Sequence, residues 1–114
     1  MSSAAEKKDQ ELEMHPIATR ILYEDDQVRI WDQVIEPGQE LKPHRHENDY
    51  VLVDVEGSGE LDVEMLPGNE GKFDGEFKFE VGRPGVHIIE KGGVERAFNP
   101  TDTRYRTILV ELLD

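Results

Sequence analysis

Two histidines separated by a single residue, in His44-Arg45-His46, are the part of this sequence best placed to do chemistry. In an extended strand, side chains at alternate positions share a face, with Cα atoms roughly 6.5–7 Å apart. Both imidazoles then point the same way and can converge on one ion, as half of a histidine-rich divalent metal site. Taken alone, the pair is equally consistent with two polar residues on the solvent face of a strand. The chain has no cysteine, so a metal would be held by nitrogen and oxygen donors. Such a set suits Fe(II), Mn(II), Ni(II), Co(II) or Zn(II). His15 stands apart in a polar N-terminal stretch. His87 follows Gly85 on a short strand, where a surface or partly buried position is expected ahead of ligation.

The elements that must position the pair read as short strands. Gln27 to Ile35 alternates Val28, Ile30 and Val34 on one parity and stops at Glu36-Pro37-Gly38, a strong turn signal. Gln39 to His46 is the next extended segment. Tyr50 to Val55 is dense in β-branched residues and turns at Gly57-Ser58-Gly59 into Glu60 to Leu66. Further strands are expected at Thr19 to Tyr23, Glu76 to Val81, Val86 to Ile89, Val94 to Phe98 and Tyr105 to Leu113. Trp31, Phe77, Phe79 and Phe98 are expected in the core. About nine short strands with no helical pattern between them predict an all-β sandwich or barrel. Residues 1–16 are expected to be a flexible tail and 17–114 a single antiparallel β-barrel or jelly roll.

Around the histidines the sequence resembles the cupin superfamily, in particular small single-domain conserved barrels. Gly38, five residues, His44-x-His46 and then Gly57 follow the frame of the first cupin motif, and Gly92, two residues, Glu95, three residues, Asn99 follow the second. The resemblance runs from about Val28 to Leu113 and implies the fold, with a site inside the barrel. Three positions depart from the pattern: Tyr50 stands where the first motif has a metal-binding Glu, Glu95 where the second has a metal-binding His, and Glu90 near where the second has a proline. With the spacing shifted by one residue, Arg96 occupies the position of that His instead.

Three readings follow from the resemblance. In the first, His44, His46 and Glu95 hold a divalent metal, with Tyr50 beside it as an acid/base group, and the protein is a metal-dependent enzyme of oxygenase, isomerase or lyase type. In the second, the pocket is metal-free and binds a small organic ligand through His44, His46, Tyr50 and Arg96. In the third, these groups fill a polar interior and the role is structural or one of interaction. Cupin barrels often pair through edge strands, which implies a homodimer.

Composition excludes other classes. A formal charge of −13, from 26 acidic and 13 basic residues, repels phosphate backbones and anionic membranes, so no nucleic-acid or membrane partner is expected. No apolar run approaches the ~20 residues that span a bilayer. The start of the chain lacks the basic-then-apolar order of a secretion signal. With the absence of cysteine, this predicts a cytoplasmic location. No Gly-rich phosphate loop and no Ser-His-Asp pattern is present.

Overall fold

The computed structural model describes residues 13–82 and 85–113. Most of the expected tail lies outside the described residues. Nine strands follow in order: β1 (Arg20–Glu24), β2 (Val28–Ile35), β3 (Glu40–Arg45), β4 (Tyr50–Glu56), β5 (Glu60–Met65), β6 (Glu76–Glu80), β7 (Gly85–Ile89), β8 (Val94–Phe98) and β9 (Tyr105–Leu112). No helix is found among the described residues. The strands form two antiparallel sheets, β1-β2-β9-β4-β7 and β3-β8-β5-β6, packed as a jelly roll rather than hydrogen-bonded into one closed barrel.

The core lies between the two inner faces. On β9 the residues Tyr105, Thr107, Leu109 and Glu111 are buried in strict alternation, the period-2 pattern of a sheet with one face on the core. Ile35 and Tyr105 from the first sheet pack with Leu61, Val63 and Ala97 from the second. A second cluster joins Tyr50, Leu52 and Leu109 to Ile17 and Ala18. These last two belong to the segment before β1, which also covers the free edge of β3, where the His15 amide donates to the Pro43 carbonyl at 2.8 Å. Pro43 sits at a break in the β3–β8 register, an edge position where its missing N–H costs no ladder bond.

Asn99 ties the turn ends together. Fully buried, it donates to the carbonyls of Ile35 at 2.8 Å and Thr103 at 2.9 Å. Its oxygen accepts from the amide and the hydroxyl of Thr101. Strand parity corrects one expectation. On β8 Glu95 and Ala97 face inward, so Phe98, three residues from Glu95, faces outward and is 39% exposed. The outer face of the first sheet carries an apolar patch at one end: Val53 and Val55 of β4 lie beside Val86 and Ile88 of β7, and Ile88 is 80% exposed.

Candidate metal and ligand site

The ladder between β3 and β8 brings the site together. His44 lies directly opposite Glu95, and directly opposed residues of an antiparallel pair share a face. That register turns Glu95 inward toward the histidines and leaves Arg96 outward. His46 follows the last residue of β3 and is held by reciprocal bonds, donating to Gly93 O and accepting from Gly92 N, both at 2.9 Å. Gly92 has φ +108°, and a Cβ there would sit 3.1 Å from the Glu70 backbone, so a side chain at this position would be strained and crowded.

His44 and His46 are almost wholly buried, and the Glu95 side chain is about one-fifth exposed. Glu95 Oε2 lies 3.5 Å from His44 Nε2 and 3.9 Å from His46 Nε2. The two imidazoles meet edge to face at 4.9 Å, and His46 stacks on Tyr50 at 3.9 Å. His44 Nδ1 lies 2.7 Å from the Lys42 carbonyl. A carbonyl only accepts, so Nδ1 carries the proton and Nε2 of neutral His44 presents a lone pair. That lone pair faces another acceptor, the Glu95 carboxylate. Either a proton or a cation placed between them resolves the conflict.

The electrostatics favour ligation. Burial, reinforced by His44 and only partly offset by Glu95, lowers the His46 pKa from 6.5 to about 3, which leaves one ring nitrogen with a free lone pair at neutral pH. Its Nδ1 has no hydrogen-bond partner. Burial pushes Glu95 upward, but a proton shared from His44 Nε2, and positive charge on His46 or His44, outweigh it, and the net direction is down. The acid stays ionised. Ligand atoms from these three side chains all lie within 4.8 Å of one another. A four-coordinate ion with bonds of about 2.1 Å sets its donors roughly 3.4 Å apart, so the set fits a small divalent cation after minor adjustment. Among the described residues, no other group of three such side chains is assembled.

Tyr50 is 3% exposed. Burial, with added effects of Glu95 and Tyr105, pushes its hydroxyl well above the usual range, so it remains a proton donor. It borders a partly open cavity of about 40 Å³, with Glu95, Gln33 and Tyr105 as the other polar neighbours and Phe73, Phe77 and Phe79 among the apolar ones. A separate hollow beside His46 opens to solvent between Arg45, Glu47, Glu70 and Lys91.

Arg96 does not join this group. It pairs with Glu64 at 2.6 Å on the outer face of the second sheet, so the pocket expected to contain it lacks it. His87 is also remote from the metal set. Its Nε2 lies 3.1 Å from Asp54 Oδ2, and its ring is 4.5 Å from Phe79. The buried Asp54 accepts from Tyr105 Oη at 2.9 Å as well. Asp54 went unnoticed in sequence, although its signal was there: it shares the buried parity of Tyr50 and Leu52 on β4. The Lys42 carbonyl had no signal, since backbone groups carry no residue identity.

Residues 5–92 match a protein family described as auxin binding protein. Among curated proteins, none matches significantly. Among solved structures the chain is similar to a cupin domain from Bordetella pertussis Tohama I, at 24% identity and a TM-score of 0.71, covering 82% of this chain and 90% of that one. It is also similar to an RmlC-like cupin family protein with a double-stranded β-helix fold from Methanocaldococcus jannaschii (13% identity, TM-score 0.63, 82% and 77% covered). A Cupin 2 conserved barrel domain protein from Salinispora arenicola follows the same pattern (17%, 0.57, 83% and 73%). At these identities the likeness is one of fold.

Proposed function

Because this chain belongs to the auxin binding protein family and carries the cupin fold, we propose that its interior holds a divalent metal on His44, His46 and Glu95 and offers it to a small oxygenated organic molecule. The observation that carries the reading is the pair of facing acceptors, His44 Nε2 and Glu95 Oε2 at 3.5 Å, with the imidazole proton committed to Lys42 O. When bound, the ion supplies Lewis-acid character, because two neutral imidazoles and one carboxylate leave it a net positive charge. Tyr50 donates a hydrogen bond to a ligand oxygen in the cavity, and the aromatic wall receives an apolar body. The family description favours binding over turnover, and auxin is the first ligand to test. A cytoplasmic location belongs to the same proposal.

Metal analysis of untagged protein tests it. Near-stoichiometric metal is expected, and Glu95→Gln should weaken retention at least tenfold, since the amide carries no charge to hold the cation. Metal-free wild-type protein that still binds a small molecule would favour an organic-ligand pocket instead. The exposed aliphatic face formed by Val53, Val55, Val86 and Ile88 supports a homodimer, because a contiguous apolar patch on a sheet is commonly covered. Light scattering should give twice the chain mass for the wild type and the single-chain mass for Ile88→Asp. A monomeric wild type removes the dimer.

A further inference from the structure

The interior cavity is too small for the ligand that the proposed function requires. Its volume of about 40 Å³ holds a water or two, whereas a cavity of about 150 Å³ is the scale that admits benzene. The cavity is partly open, so a ligand of that size is taken in fully only if part of the wall at its mouth moves. Every lining residue but one sits on a strand and is tied into a sheet, from Gln33 on β2 to Tyr105 on β9. The exception is Phe73, in the connection between β5 and β6. Its side chain walls the cavity yet is 40% exposed, and its ring stacks on Phe77 at 5.0 Å with the planes 22° apart.

The connection is firmly held at its base and lightly at its tip. The Glu70 amide donates to Gly92 O at 2.8 Å, and Asn69 Oδ1 accepts from the amides of Gly71 and Val94. The far end closes where the Met65 amide donates to Gly75 O at 2.8 Å. Between the two, among the described residues, a single hydrogen bond reaches the tip from outside it, Asn69 Nδ2 to Phe73 O at 2.7 Å. Gly75, at φ +68° with open space beside it, provides a natural pivot.

We propose that Phe73 is the gate of the barrel: a ligand enters as this ring swings out on the Gly71–Gly75 tip, and the size of the side chain at position 73 sets how fast a ligand is admitted. The proposal rests on reading the interior as a ligand site, but it does not depend on the metal. Benzene, which has no oxygen or charge for a metal to hold, is therefore the probe. Protein labelled with 4-fluorophenylalanine gives four fluorine signals, one for each phenylalanine, assigned by single substitutions to Leu. Benzene should shift or broaden the Phe73 signal while leaving that of outward-facing Phe98 in place. Phe73→Ala should speed benzene exchange at least tenfold, with Phe73→Leu between it and the wild type. Should the alanine variant fail to fold, the fluorine signals of the wild type still decide. An unmoved Phe73 signal with benzene bound, equal exchange rates in all three proteins, or no uptake by any of them overturns the gate. Loss of the metal reading would appear as metal-free protein with these rates unchanged, and loss of the gate as unchanged metal content.

Discussion

Lowering the pH from 7 to 5 should cost the metal-free protein about 2 kcal/mol through His46 alone. Burial lowers the pKa of this imidazole from 6.5 to about 3, so between those values the unfolded chain takes up a proton that the folded chain refuses. A depressed folded pKa means the stabilisation is complete above 6.5 and is lost as the pH falls toward 3. At pH 5 the unfolded state is 1.5 units below its pKa and the folded state still deprotonated. At about 1.4 kcal/mol per unit this gives roughly 2 kcal/mol, a large share of the ~5–15 kcal/mol that stabilises a typical domain. His46→Phe isolates the effect, because Phe keeps the ring stacked on Tyr50 and replaces an Nδ1 that has no partner. Urea unfolding of both proteins, followed by far-ultraviolet circular dichroism at pH 7, 6 and 5, reads the difference. The variant should gain about 2 kcal/mol on the wild type between pH 7 and 5. Parallel losses in the two proteins would refute the argument that burial keeps His46 neutral.

Two further outcomes concern buried polar groups outside the metal set. Asn99→Leu removes the side-chain bonds to the Ile35 carbonyl and the Thr101 amide, leaving the Thr101 hydroxyl bonded to the Thr103 carbonyl, and should cost about 3 kcal/mol, seen as a lower urea midpoint with an unchanged slope. Tyr105→Phe removes the hydroxyl's hydrogen bond to the Asp54 carboxylate and should cost roughly 1.5–3 kcal/mol, measured by the same transition with metal retention unaffected.

Much of this protein is legible in local pattern. Turn signals such as Pro37-Gly38 and Gly57-Ser58-Gly59 punctuate period-2 segments, and that local chemistry sets where strands begin and end. The alternation of His44 and His46 needs nothing beyond strand geometry to put both rings on one face. Strand parity also carried a warning about Phe98, since Glu95 and Phe98 cannot both face inward on one strand.

What only the tertiary structure decided is which face meets which. Whether Glu95 or Arg96 turns toward the histidines depends on the register between β3 and β8, a pairing of segments about fifty residues apart in the chain, and a slip of one residue would exchange them. The proton on His44 is placed by a carbonyl at Lys42, and the size of the cavity by aromatic side chains from β6 and its preceding loop. Residue types and spacing fix local conformation because those forces act between near neighbours. Register, tautomer and cavity size come from contacts that exist only once the sheets have packed.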